Sequence, residues 1–189
     1  NSQTTLDPER SKSLEIGLQN QSNIGLINFK VYQTKIEDTF SYIDPESNYD
    51  GYYINDGTTD ISGVELSLET SMLGWDLDTT IDYNKSIDKA TKKEKGRRPN
   101  RSISINLSKS SGKWNRSINW TGKSHAWDKN SETTKLGGYG LLNLRTSYDF
   151  TEDLTVYLNR NNTLDKDYEV ARGYKTHGKT TTLGLTYNF

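Results

Sequence analysis

The stretch Thr181-Thr182-Leu183-Gly184-Leu185-Thr186-Tyr187-Asn188-Phe189 decides the fold. Along an extended chain Leu183, Leu185, Tyr187 and Phe189 point one way, while Thr182, Gly184, Thr186 and Asn188 point the other. Side chains alternate across a strand with period two, so this is a strand with one apolar and one polar face. The same alternation recurs upstream. Leu142, Leu144, Tyr148 and Phe150 oppose Asn143, Arg145, Ser147 and Asp149, and Ile103, Ile105 and Leu107 oppose Ser102, Ser104, Asn106 and Ser108. Trp75, Leu77, Ile81 and Tyr83 oppose Asp76, Asp78, Thr80 and Asp82, and Val64, Leu66, Leu68 and Met72 oppose Gly63, Glu65, Ser67 and Glu69. The chain reads as all-β.

About nine strands are predicted, over 11–20, 24–40, 52–73, 74–88, 99–111, 113–126, 137–150, 153–164 and 179–189. Short turns near 19–23, 73–74, 111–113 and 151–153 alternate with long polar loops near 41–51, 89–99, 125–136 and 165–178. In an up-and-down antiparallel sheet this puts every short turn at one rim and every long loop at the other, the asymmetry of an outer-membrane barrel. Trp75, Trp114 and Phe150 sit beside short turns and Phe189 ends the last strand at the same rim, as an interfacial aromatic girdle requires. A soluble sandwich or lipocalin-like barrel would use those aromatics as core. Nine strands cannot close antiparallel, because the first and last run the same way, so the sequence predicts an arc of a larger barrel whose N-terminal strands lie outside this chain. Arg116 and Arg160 fall on the apolar side, and the run Asn159-Arg160-Asn161-Asn162 is too polar for a lipid-exposed strand centre. Either those arginines reach a rim or a bulge shifts the register.

Composition narrows the function classes. The 189 residues are 31% apolar, with 24 basic and 25 acidic side chains, a net charge of −1 and no cysteine. Disulfide scaffolds, thiolate metal sites and cysteine nucleophiles are excluded. No run approaches the ~18–20 apolar residues of a membrane-spanning helix, and the near-neutral charge argues against a nucleic-acid partner. The start, Asn1-Ser2-Gln3-Thr4-Thr5, has no signal-peptide character.

Four segments resemble the C-terminal barrel of TonB-dependent outer-membrane receptors. Leu6-Asp7-Pro8-Glu9-Arg10-Ser11, continuing to Glu15 and Gly17, matches the family's L-x-P-E-x-S-x-x-x-E-x-G lead into a late strand. Asn55-Asp56-Gly57 followed by Gly63-Val64-Glu65-Leu66 matches N-x-G…G-V-E-x, and Arg98-Pro99 opens the next downward strand. Asn162-Thr163-Leu164-Asp165-Lys166-Asp167-Tyr168 matches N-L-F-D-K-D-Y, with Thr163-Leu164 in place of Leu-Phe. Within the family, the last third is similar to the cobalamin (vitamin B12) receptors, through Leu136-Gly137-Gly138-Tyr139, Leu154-Thr155-Val156, Asp165-Lys166-Asp167-Tyr168-Glu169 and Gly173-Tyr174-Lys175-Thr176-His177-Gly178-Lys179.

The resemblance implies that residues 1–189 are the C-terminal part of a transmembrane, porin-like antiparallel up-and-down β-barrel of about 22 strands, with the plug domain and N-terminal strands outside the chain. It implies a multi-pass protein in the outer membrane of a Gram-negative bacterium. Its partners would be the rest of the barrel and plug, TonB through the absent N-terminal region, and outer-membrane lipid and lipopolysaccharide. The ligand would be cobalamin, or alternatively a siderophore, haem or another metal chelate, and phages or bacteriocins could borrow the receptor. A self-contained soluble β-barrel binding module is the alternative of a different class.

The residues themselves offer no catalytic set, no cofactor and no metal site, so no enzyme is expected. His125 and His177 lie in long loops without metal-ligand neighbours. Asp76, Asp78 and Asp82 share one strand face, which suggests a cation site or, more simply, polar contacts with a plug. The basic run Lys92-Lys93-Glu94-Lys95-Gly96-Arg97-Arg98 reads as a solvated loop able to meet lipopolysaccharide phosphates. The sequons at Asn106, Asn115 and Asn119 fall within strands and read as by-products of composition. Candidate ligand-stacking aromatics in the long loops are Tyr49, Tyr52, Tyr53, Trp127, Tyr168 and Tyr174.

Overall fold

The computed structural model describes residues 5–43 and 51–189. Its strands are β1 (Arg10–Ser22), β2 (Gly25–Glu37), β3 (Phe40–Ile43), β4 (Tyr52–Asn55), β5 (Thr58–Met72), β6 (Trp75–Asp88), β7 (Arg101–Ser111), β8 (Trp114–Lys123), β9 (Ala126–Trp127), β10 (Lys135–Leu136), β11 (Tyr139–Asp149), β12 (Leu154–Asn161) and β13 (Thr180–Tyr187). Nine of them form one antiparallel sheet in the order β1-β2-β5-β6-β7-β8-β11-β12-β13, and the ribbons β3–β4 and β9–β10 stand apart from it. The nine predicted strands are these nine. The stretch predicted as a single strand over 52–73 is divided, because Gly57 at φ 89° turns the chain between β4 and β5.

Short connections occupy one rim. The pairs Ser22↔Gly25, Met72↔Trp75 and Ser111↔Trp114 each enclose a two-residue loop. Leu73 and Gly74 take φ 56° and 72°, the double left-handed geometry of a type I′ turn whose twist matches that of the flanking strands.

The register carries the fold. Ile16 pairs with Val31, Val31 with Val64, Val64 with Tyr83 and Ile81 with Ile103. Ile105 then pairs with Trp120, Trp120 with Leu142, Tyr148 with Val156 and Val156 with Leu185. Apolar thus meets apolar across every pairing of the large sheet, and a slip of one residue anywhere would have inverted a strand. This face is uncovered: Leu66 and Ile81, in the middle of the sheet, remain 44% and 46% exposed. Among the described residues the buried apolar side chains are Ala126 and Leu136, both in the long-loop ribbon.

The opposite face is polar and cross-linked. Lys30 bridges Glu65 at 3.2 Å and Glu15 at 3.8 Å. The Tyr32 hydroxyl donates to Asp82 at 3.2 Å and Asn28 to Ser67 at 3.2 Å. Asn119 donates to Asn106 at 2.6 Å and Asn143 donates to Asn119 at 3.0 Å, so a side-chain ladder runs over β7, β8 and β11. Two of the sequon asparagines are therefore structural: Asn106 and Asn119 stitch strands on the polar face. Asp76 accepts from the Ser71 hydroxyl at 2.6 Å, and among the described residues no acidic or histidine cluster could hold a metal ion.

The register contains no bulge at either arginine, and both do stand on the apolar face, at its edges. Arg116 lies two residues from the short-turn rim, its guanidinium 5.5 Å from the Trp114 ring centroid. Arg160 lies one residue from the long-loop end of β12 and donates to the Thr181 hydroxyl at 2.9 Å. The polar run 159–162 is thus the end of a strand, with Asn159 and Asn161 on the polar face. At the long-loop edge the apolar face also gives way to Lys12, Lys35, Lys85 and Arg101. An apolar band bounded by side chains that reach water is what a bilayer requires.

In a bilayer, Leu66→Arg at mid-band should destabilise the folded protein by about 2–4 kcal/mol and Arg160→Leu by less than about 1 kcal/mol. Denaturant titration of the chain with its native flanking sequence in lipid vesicles measures both. Equal costs at the two positions would show that the band is misplaced.

Candidate functional site at the long-loop rim

The second rim is built from connections long enough to carry their own structure. Asp88 opens the 89–100 loop by accepting from the backbone N–H of Ala90 at 3.1 Å and of Thr91 at 2.9 Å, and its other oxygen holds Lys95 at 3.0 Å. Asn162, buried and at φ 47°, opens the 162–179 loop. Its amide accepts from Lys166 N–H at 2.9 Å and donates to the Lys166 carbonyl at 2.9 Å, while its own N–H donates to Asn143 at 2.9 Å. Asp165 closes the loop base by accepting the Lys179 N–H at 2.8 Å and pairing with its ammonium at 3.4 Å.

Three loops then converge on Asp128, whose side chain is 6% exposed. One of its oxygens accepts from Arg97 Nε at 3.0 Å and from the Arg172 N–H at 3.1 Å. The Arg172 guanidinium reaches the Thr134 hydroxyl at 3.2 Å. Gly96 N–H donates to the Asn130 side chain at 2.7 Å, Glu94 N–H to the Glu132 carboxylate at 2.6 Å, and Lys93 to the Ser131 carbonyl at 3.0 Å. The β9–β10 ribbon is therefore the central post, with 89–100 on one flank and 162–179 on the other. The basic run expected to be a solvated loop is mostly fastened to the fold, since Lys95, Arg97 and Arg98 are engaged with Asp88, Asp128 and Ser86. These partners lie 7 to 31 residues away in sequence and leave no local pattern.

The predicted aromatics fall into two groups. Trp127, on β9, is half-buried with the Lys135 ammonium 4.9 Å from its ring centroid. Tyr168 stacks at 4.3 Å on Tyr139, and Tyr174 is 72% exposed. These three stand on the loops joined at Asp128. Tyr52 and Tyr53 lie on the separate β3–β4 hairpin, exposed, with Tyr53 packed 5.3 Å from Tyr42. Tyr49 lies outside the described residues. The hairpin is anchored by Asn55, whose amide donates to the Asp7 carbonyl at 2.8 Å and the Asp38 carbonyl at 2.7 Å and accepts from Asp7 N–H at 2.8 Å. That is the physical work of the Asn55-Asp56-Gly57 motif. Asp128, Arg97 and Arg172, which hold the mouth together, are the residues that sequence reasoning missed as a set.

The arrangement offers aromatic faces and cations on an ordered surface, the equipment for holding a ligand non-covalently. The chain is matched over residues 1–162 by the family model described as TonB dependent receptor-like, beta-barrel. It is 30% identical over 189 residues to the vitamin B12 transporter BtuB of Photobacterium profundum, covering 97% of this chain and 31% of that protein. Among solved structures, the copper transporter OprC superposes with a TM-score of 0.78 at 19% identity, over 98% of this chain and 32% of that one. The pyoverdine outer-membrane receptor FpvA of Pseudomonas aeruginosa PAO1, bound to pyoverdine, superposes with a TM-score of 0.72 at 16% identity, over 97% and 30%. The chain therefore spans about a third of the length of the proteins it matches, and the open nine-stranded sheet is an arc of their barrel.

The Asp128 carboxyl is held below the usual carboxylate range, first by the Arg172 N–H and then by Arg97, against the opposing effect of desolvation. A depressed folded value means that the clamp is complete above the unfolded value of about 3.9 and is lost as pH falls through the lowered folded value. Asp128→Asn should accordingly raise proteolytic nicking within 89–100 and 162–179 several-fold at pH 7. The parent protein should match that susceptibility only below about pH 4. Nicking confined to 124–138 would break the assignment of Asp128 as a shared anchor.

Proposed function

The chain belongs to the TonB-dependent receptor β-barrel family, and from that premise we propose that it forms wall and mouth of an outer-membrane receptor that imports cobalamin. In this reading residues 1–189 supply nine strands, and the remaining strands and a plug domain complete the barrel. The apolar band faces lipid, the cross-linked polar face meets the plug, and the long-loop rim opens to the outside. Import draws energy from TonB through a region outside this chain. The segment by itself therefore does not transport, and its part is wall, lumen surface and a share of the binding mouth.

The observation that carries the reading is the ordered mouth. A corrinoid is large, flat and ringed by amides, so it suits aromatic faces and hydrogen-bonding loops held in place before it arrives. Trp127, Tyr168 and Tyr174 stand on loops that share one anchor at Asp128. The similarity to a vitamin B12 transporter runs over 97% of the chain, which includes all three loops. Tyr52 and Tyr53, on the separate β3–β4 hairpin, belong to the same proposed mouth.

A second reading keeps the receptor and changes the cargo to a siderophore, haem or other metal chelate. It draws on the solved neighbours, which are named for copper and pyoverdine. Phages or bacteriocins would use the same exposed loops. A soluble binding module is disfavoured by the uncovered apolar band and by the placement of Arg116 and Arg160 at its edges.

Calorimetry with cyanocobalamin, on the chain joined to its native flanking sequence in detergent, should give sub-micromolar binding. Trp127→Ala and Tyr174→Ala should each weaken it about tenfold, or ~1.4 kcal/mol. A well-folded receptor that ignores cyanocobalamin but binds an iron chelate would replace the cargo and leave the family intact.

A further inference from the structure

On the apolar face, close to the long-loop edge, the sheet is interrupted by a trough of about 660 Å³. It exists because two paired positions of neighbouring strands, Gly122 and Gly140, carry no side chain. A Cβ at Gly122 would stand 2.9 Å from the Trp120 ring and 3.0 Å from Ile103, and one at Gly140 would stand 3.4 Å from the same indole. The missing side chains let Trp120 lie along the sheet instead of standing off it, so the trough has a flat apolar floor continued by Ile81 and Ile103.

Its upper end is cationic. Arg101 belongs to the apolar face, paired with Tyr83, and holds its guanidinium 5.8 Å from that ring centroid. Lys166 comes over from the 162–179 loop and lines the same trough, exposed to solvent. Neither cation is in an ion pair among the described residues, whereas the neighbouring Asp165 is engaged by Lys179. Lys123 also lines the trough but has the parity of the polar face. An apolar channel running down the band and ending in Arg101 and Lys166 at the level where the band meets water is complementary to an acylated anion.

We propose that this trough binds a phosphorylated, multiply acylated glycolipid of the facing leaflet, with an acyl chain over Gly122 and Gly140 and a phosphate between Arg101 and Lys166. A zwitterionic phospholipid would bring its own ammonium beside these cations. A phosphate monoester carries between about one and a half and two negative charges at neutral pH and brings no such penalty. The proposal rests on the reading that the apolar band faces an outer-membrane leaflet, and it adds a lipid of defined chemistry at a defined place.

The test is native mass spectrometry of the chain with its flanking sequence, presented with diphosphorylated lipid A, its dephosphorylated form and phosphatidylethanolamine. The expected result is at least a tenfold preference for the diphosphorylated lipid. Arg101→Ala with Lys166→Ala should reduce that preference about tenfold, and Gly140→Leu, which drives the indole into the trough, should reduce retention of both lipid A forms. Equal retention of all three lipids, or a preference unchanged in the double variant, would overturn the site. Heat-modifiable gel mobility of each variant reports barrel insertion separately. Intact insertion with lost selectivity is the expected outcome for the double variant, and failed insertion of the parent protein would instead count against the outer-membrane reading. Arg101 and Lys166 are exposed, so the double variant remains a folded test even where Gly140→Leu is not.

Discussion

Hydrogen-bond satisfaction is the constraint on which the rest of the structure depends. A backbone that crosses hydrocarbon must pair every N–H and C=O internally, and a sheet does this only by giving each strand two neighbours. Once the strands are committed to that lattice, period-two alternation sends every second side chain to lipid and every other one inward. The pairings of the large sheet keep one parity from Leu14 to Leu185, so the apolar band is continuous although its residues are scattered over 172 positions. The low apolar content of the chain follows directly. A barrel wall has no closed core to fill, and only half of each strand needs to be apolar.

The polar face is held by lateral contacts. Its residues hydrogen-bond from strand to strand, Asn106 to Asn119 to Asn143, and the ladder ends on Asn162, the residue that turns the chain into the last long loop. Strand stitching and loop placement are thus one network. The clamp at Asp128 extends the same logic above the sheet, where a single buried carboxylate with two donors from different loops replaces the backbone lattice. Removing either donor would leave that carboxylate underpaired in a partly desolvated place, which is why such hubs order a surface.

The two ends of the sheet are consequently different materials. The short-turn rim is closed by hairpins of two to four residues and by aromatics, among them Trp114, Tyr148 and Phe150, whose rings meet edge to face at 4.9 and 4.8 Å. The long-loop rim holds the buried apolar pair Ala126 and Leu136 and the convergent charges. Recognition belongs where connections are long enough to be shaped without disturbing the lattice.

Strand number, strand parity, the sorting of loops by length and membership of the receptor family were all legible in the sequence, because each depends on local alternation or on contiguous motifs such as Asn55-Asp56-Gly57. The positions of Arg116 and Arg160 on the apolar face were legible too. Their harmlessness was not, since height within the band depends on the stagger between strands, and stagger is set by turn geometry and by neighbours rather than by the strand's own residues. The run 159–162 looked too polar for the same reason: its place at a strand end is a tertiary fact. Of the candidate mouth, the aromatics could be named from their loops, while the carboxylate that gathers three of them could not, because Asp128 meets Arg97 across 31 residues and Arg172 across 44. Local pattern alone determined which residues face which way. Only the assembled sheet and its interlocked loops decided which of them meet, because contacts between distant segments arise from closure of the lattice and leave no period in the chain.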